Sequence, residues 1–175
     1  MVSVIQDWIS DFLSVIFSFK NKGCKMKRIT DYLSEDLVAI LNTNSRNRAI
    51  SSLVELIQKS GKLKDIKVFH KAILERENKI STGIGMGIAI PHAKIPELND
   101  FFIVVGIQKE KGVDWKSLDE NPVRIVFMIG GPDNKQSEYL KILSMLTLAI
   151  KNEGVRRGLL KISNGKELIS IFNNL

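Results

Sequence analysis

The chain is poor in the residues that build disulfides and metal centres. It has one cysteine, Cys24, and two histidines, His70 and His92, among 175 residues. A single cysteine excludes an internal disulfide and fits a reducing compartment, so a cytoplasmic location is expected. No HxxxH, CxxC or HExxH spacing occurs, so no metal site and no metal cofactor are expected. The GxSxG elbow of a serine hydrolase is also missing. Aromatic residues make up only 7% of the chain and do not interleave with the 26 lysines and arginines, which are scattered. A nucleic-acid footprint needs a basic stripe or a known motif, so no nucleic-acid partner is expected. The net charge of +7 instead suits steering toward an acidic partner protein. Internal repeats and low-complexity tracts are absent.

What is present is an ordinary globular composition, 44% hydrophobic and 26% charged, with enough chain for one substantial core. Leu37–Leu41 is a short apolar run that reads as a first strand. Asn44-Ser45 can cap a helix burying Ala49, Ile50, Leu53, Val54 and Ile57, which Gly61 ends. Asp65 can start the next helix, with Val68, Phe69, Ala72, Ile73 and Ile80 at or near its inner face. His70 falls beside Phe69, on the exposed side, and receives no function. Phe101–Ile107 and Val123–Ile129 are β-branched and aromatic and read as strands. Gly130-Gly131-Pro132 reads as a break after the second of them. A Gly-Gly step can also expose amides to phosphate oxygens, the weaker of its two readings. A helix over about 137–151 buries Leu140, Leu143, Leu146 and either Leu148 or Ala149, and two shorter helices follow near 154–160 and 165–173. Alternating strands and helices indicate an α/β layered domain.

The first 25 residues form a separate unit. Val2, Ile5, Trp8, Ile9, Phe12, Leu13, Ile16 and Phe19 take one helical face. Ser3, Gln6, Asp7, Ser10, Asp11, Ser14 and Ser18 take the other. Asp7 and Asp11 argue against a membrane span, and no basic region precedes the apolar stripe as in a signal peptide. A polar face carrying acid rather than Lys and Arg disfavours an anionic lipid surface, so membrane contact is not expected. Docking on the domain or self-association through this helix would cover the stripe. Asn21–Lys25 reads as a linker, which divides the chain into residues 1–25 and a domain over 26–175.

The most informative run is Ser81-Thr82-Gly83-Ile84-Gly85-Met86-Gly87-Ile88-Ala89-Ile90-Pro91-His92. Glycine alternates with apolar residues, as in a pleated segment that approaches another backbone closely. Ile88-Ala89-Ile90 reads as a buried strand. Pro91 has no amide to donate, so pairing is expected to stop there, leaving His92 at the mouth of a sheet. Imidazole is a good neutral nucleophile near pH 7; it can accept a phosphoryl group, move a proton or bind a metal. From the residues alone, a nucleophile, a triad base and a mere loop cap stay open.

The residues Leu74-Glu75-Arg76-Glu77, Ser81-Thr82-Gly83-Ile84-Gly85 and Ile88-Ala89-Ile90-Pro91-His92-Ala93-Lys94 resemble the IIA domain of the bacterial phosphotransferase system. The type is the fructose/mannitol class (type 2), and the wording is nearest its nitrogen-related regulatory branch. Gly112–Trp115, Pro122–Phe127 and Leu140, Leu143 and Ser144 extend the similarity, which covers roughly residues 27–175. The resemblance implies a mixed sheet of about five strands between helices. It implies that His92 accepts a phosphoryl group from the histidine phosphocarrier protein, and that Arg76 holds its oxygens in a guanidinium fork. Ser81, Thr82, Gly83 and Tyr139 are further candidates around the phosphate, and Met86 and its apolar neighbours could border a docking surface. No organic cofactor is implied. Onward partners would be a IIB domain or a regulated transporter or kinase. A binding module with little onward transfer is the alternative. Many relatives carry a second histidine where this chain has Tyr139; a phenol donates a hydrogen bond but is no cation, a role Lys94 or Lys141 could fill.

Overall fold

The computed structural model describes residues 27–63 and 65–175. The amphipathic stretch predicted over residues 1–25 lies outside them. Among the described residues, six strands form one mixed sheet flanked by five helices.

A single 3₁₀ turn, Ile29–Tyr32, precedes strand β1, Val38–Ile40. Helices α1, Arg46–Lys59, and α2, Ile66–Lys79, follow. The Asp65 side chain caps α2 by accepting from the amides of Lys67 and Val68. Ser45 occupies the cap of α1 but makes no side-chain cap bond. Gly61, at φ +70°, turns the chain between the two helices.

Then come β2, Gly83–Gly85, β3, Ile88–Ala89, and β4, His92–Lys94. The long strands β5, Phe102–Ile107, and β6, Ile125–Gly131, are antiparallel neighbours. Helices α3, Gln136–Lys151, α4, Glu153–Leu159, and α5, Gly165–Asn173, close the chain.

The strand order is β1-β5-β6-β3-β2, with β4 also paired to β6. Every residue of β5 and β6 is buried, as expected of strands covered on both faces. Their side chains alternate between two cores. Phe102, Val104, Val126 and Met128 join the core under α1 and α2, with Trp115. Ile103, Val105, Ile125, Phe127 and Ile129 join the core under α3, α4 and α5.

Five expectations are corrected. Pairing does not stop at Pro91. Both β3 and β4 run parallel to β6, through Ile88↔Ile125 and His92↔Ile129. Pro91 interrupts this edge without ending it, because its carbonyl still accepts from the Ile129 amide at 2.9 Å. Gly130 and Gly131 are not a turn but the last two residues of β6. A Cβ there would lie 2.2 Å from the Phe102 ring and 1.9 Å from the Phe101 ring, so the glycines make room for two aromatic side chains. Ile80 points outward, 73% exposed, because it caps α2 in an extended conformation. His70 is half-buried rather than exposed, with Nε2 3.3 Å from the Ser51 hydroxyl. In α3 the buried set is Tyr139, Ile142, Ser144, Leu146 and Ile150; Leu140, Leu143 and Ala149 are partly covered, and Leu148 faces outward.

Candidate functional site

His92 opens β4, and its backbone is fixed by the pairing with β6. Its ring is fixed independently at both nitrogens. Nδ1 lies 2.9 Å from the Ile90 carbonyl. The Nε–H of Arg76 donates to Nε2 at 3.0 Å. A guanidinium cannot accept, so Nε2 carries the lone pair and Nδ1 carries the proton. Burial is the main cause that lowers the His92 pKa below its ordinary 6.5, and the nearby Arg76 charge adds to it. The ring is therefore neutral at physiological pH, with its basic nitrogen turned toward a cation.

Arg76 sits in the last turn of α2. Its Nη1 donates to the Ile80 carbonyl at 2.9 Å. That bond to the residue after the helix aims the guanidinium sideways at β4. Without it, a terminal arginine would extend into solvent. Across the imidazole lies Tyr139, in the first turn of α3, with its ring centroid 5.5 Å from that of His92. Burial pushes the Tyr139 phenol up to about 12, so it stays protonated. Lys94 Nζ stands 5.2 Å over the Tyr139 ring and donates to the Gln136 side chain at 2.5 Å. Lys141 follows two residues later in the same helix.

The structure thus brings His92, Arg76, Tyr139 and Lys94 together. It uses Ser81, Thr82 and Gly83 differently from the expectation. The Thr82 amide donates to Glu77 Oε1 at 3.0 Å and its hydroxyl to Glu77 Oε2 at 2.5 Å. The Trp115 indole donates to the Thr82 hydroxyl at 3.3 Å. Ser81 donates to the Trp115 carbonyl at 2.6 Å and accepts from the Gly83 amide. Glu77 is only 2% exposed and also pairs with Arg46 at 3.6 Å. A buried carboxylate needs donors, and these residues supply them. They are the wall that holds Ile80, and through its carbonyl Arg76, in place. Sequence reading quoted Glu77 within the motif but gave it no role. The available signal was an acid at i+4 from the buried Ile73, on the inner face of the helix.

The β2–β3 connection is tight. Gly85, Met86 and Gly87 all have positive φ, at 90°, 57° and 74°. The strained Met86 is held because its amide donates to Asp119 at 2.8 Å. Its side chain stays exposed.

A lone-pair nitrogen beside a fixed guanidinium can attack an electrophile whose departing charge the cation holds. No group of three or more potential metal ligands exists among the described residues, and no helix among them is long and apolar enough to cross a membrane.

Comparison with known proteins adds a family to this geometry. The profile of the phosphoenolpyruvate-dependent sugar phosphotransferase system, EIIA 2, matches residues 31–175. The chain is 36% identical over 147 residues to the fructose-specific EIIABC component of Bacillus subtilis, covering 83% of this chain but only 23% of that protein. It is 32% identical over 134 residues to the nitrogen regulatory protein of Escherichia coli, covering 77% of this chain and 82% of that one. The fold matches that of nitrogen regulatory protein IIA-Ntr from Neisseria meningitidis with a TM-score of 0.75 at 24% identity, over 82% of this chain and 98% of that one. The chain therefore belongs to the EIIA type 2 family of the phosphoenolpyruvate-dependent sugar phosphotransferase system.

Proposed function

We propose that the protein is a cytoplasmic phosphoryl carrier that cycles between His92 and phospho-His92. The observation that carries this reading is the 3.0 Å bond from Arg76 to Nε2, which assigns the nucleophilic nitrogen. The donor is the histidine phosphocarrier protein. Nε2 attacks the phosphorus of the donor's phosphohistidine, the new Nε2–P bond forms as the donor's N–P bond breaks, and the donor's imidazole leaves with the electron pair. Nδ1 keeps its proton, hydrogen-bonded to the Ile90 carbonyl, so no external base is needed. Arg76 shifts its donors from Nε2 to the phosphoryl oxygens and offsets their charge. Onward transfer repeats the exchange in reverse to a second protein. The family includes both sugar-specific and nitrogen-regulatory relatives. The acceptor is thus a IIB domain in the first case, and in the second the phosphorylated and free forms are read by a regulated partner such as a transporter or kinase.

The test is phosphotransfer from radiolabelled phosphocarrier protein. Acid-labile label on the wild type and none on His92→Ala is expected; equal label on both would overturn the assignment. Chasing the labelled protein with a IIB domain separates a sugar carrier, which loses label, from a regulator, which retains it and binds its partner differently in the two states.

A further inference from the structure

Strand β4 puts His92 and Lys94 on one face, both half-buried, with Ala93 buried on the other. Their Cα atoms are about 7 Å apart, within reach of a lysine stem. The Tyr139 ring lies against both side chains. Its centroid is 5.5 Å from that of His92 and 5.2 Å from Lys94 Nζ. Lys94 Nζ also donates to the side-chain oxygen of Gln136, the first residue of α3. Both of these partners are neutral. A half-buried cation is ordinarily held by a carboxylate, and other charges around the site follow that rule. Lys27 pairs with Glu138, Lys135 with Asp100 and Arg46 with Glu77. Glu138 also accepts from the Tyr32 hydroxyl, and Asp119 accepts from the Met86 amide and from Asn121. Asp133 stands exposed before α3, and Lys141 adds a positive charge within it. Arg76 and Lys94 depart from the rule. Among the described residues neither pairs with a carboxylate; Arg76 is held by an imidazole and a carbonyl, Lys94 by an amide oxygen and a ring.

We propose that Lys94 is a second catalytic residue of phosphoryl transfer: standing on the Tyr139 ring, its ammonium gives an N–H to one phosphoryl oxygen of phospho-His92 while Arg76 holds the others. This rests on the phosphoryl-carrier reading. A phosphoryl group carries about two negative charges near neutral pH, and two cations without counter-ions match it. An ammonium has three donors, of which Gln136 takes one. Gln136 and the Tyr139 ring are positioning residues. They keep the charge beside the imidazole without neutralising it, whereas a carboxylate partner would have to be given up in every cycle. The Lys94 charge already reaches the ring: after burial and the Arg76 charge, it is a further cause that lowers the His92 pKa. Lys94 moves no proton. The Nε2–P bond forms as the donor's N–P bond breaks, the leaving nitrogen takes the electron pair, and the ammonium offsets the charge on the oxygens.

The experiment compares the full-length wild type with Lys94→Met, Lys94→Arg and Lys151→Met, the last of which removes the same charge at the far end of α3. Each is phosphorylated by the phosphocarrier protein and, separately, by phosphoramidate, a donor with no protein surface to dock. Lys94→Met should slow uptake from both donors by about tenfold, with the half-saturating phosphocarrier concentration within about twofold of the wild type. Lys94→Arg should recover most of the rate, and Lys151→Met should keep it. In phosphorus NMR titrations of the phosphorylated proteins, Lys94→Met should raise the phosphoryl pKa by about one pH unit, which a merely structural role would not do. Slowing confined to the phosphocarrier reaction overturns the proposal in favour of docking. An equal loss in Lys151→Met overturns it in favour of net charge, and unchanged rates with an unchanged titration remove it outright. If Lys94→Met fails to fold, Gln136→Leu decides: freeing the ammonium from its amide should slow uptake from both donors by about threefold, and an unchanged rate overturns the proposal. A wild type that takes phosphate from phosphoramidate but not from the phosphocarrier protein sinks the carrier reading and leaves the role of Lys94 to the phosphorus titration.

Discussion

Two polar clusters flank Ile80, and they are built to opposite ends. On one side Glu77, Thr82, Trp115 and Arg46 form a closed set in which both carboxylate oxygens of Glu77 have donors and its side chain is sealed. On the other side His92 and Arg76 form an open pair, half-buried, each anchored by a backbone carbonyl, of Ile90 and Ile80 respectively. The closed cluster is satisfied internally and has nothing to offer a partner. In the open pair, the one bond that does not involve a backbone carbonyl is the bond from Arg76 to Nε2. It can be exchanged for bonds to a phosphoryl group without disturbing the anchors. Preorganisation of this kind puts the reorganisation cost into folding rather than into transfer.

The contrast is broken most completely at His92. His92→Gln should drop phosphoryl uptake by more than about 10³-fold, since covalent transfer has no substitute nucleophile, while the melting temperature stays near that of the wild type. The mirror image is Glu77→Ala, which strips a sealed cluster of its acceptor. It should cost about 3 kcal/mol in urea unfolding, whereas Glu77→Gln, which keeps one carbonyl acceptor, should cost less. Arg76→Ala should slow uptake by about 10²-fold at nearly unchanged stability. Arg76→Lys should restore little, because an ammonium cannot hold Ile80 and the phosphoryl oxygens in one fork. Equal losses of stability and transfer in Arg76→Ala would erase the distinction between the clusters.

A smaller effect sharpens it. Burial lowers the His92 pKa below 6.5, so an imidazole NMR titration should place it there, and Arg76→Ala should move it upward. The unfolded chain then binds a proton more readily than the folded one. The corresponding stability is complete above pH 6.5 and is lost as pH falls from there through the folded value. The smallest change is expected for Tyr139→Phe. The ring that packs on His92 is kept, and uptake should fall by less than about threefold.

Much of the fold was legible in the residues. The β-branched and aromatic strand Phe102–Ile107, the Asp65 cap and the turn at Gly61 follow from local stereochemistry. The candidacy of His92 and Arg76 came instead from the family resemblance carried by Arg76-Glu77 and Pro91-His92. What misled was punctuation. Pro91 and Gly130-Gly131 are breakers by local rules, yet one sits between two stretches paired with the same strand and the other ends β6 under Phe101 and Phe102. Ser81, Thr82 and Gly83 were candidate phosphate neighbours because they adjoin the site in sequence, while the Thr82 donors go to the Glu77 carboxylate, the Ser81 hydroxyl to the Trp115 carbonyl and the Gly83 amide to Ser81.

By itself the sequence determined the layered α/β class, because residue type and short-range spacing set propensity and periodicity, and through its resemblance to a family it named His92 and Arg76 as candidates. Only the tertiary structure decided which imidazole nitrogen keeps the lone pair and where the Glu77 carboxylate spends its charge. It alone decided that an aromatic ring covers each glycine at the end of β6. Those choices depend on which donors and side chains from distant parts of the chain arrive within about 3 Å, a range at which hydrogen bonds and steric contact act and that spacing along a chain does not encode.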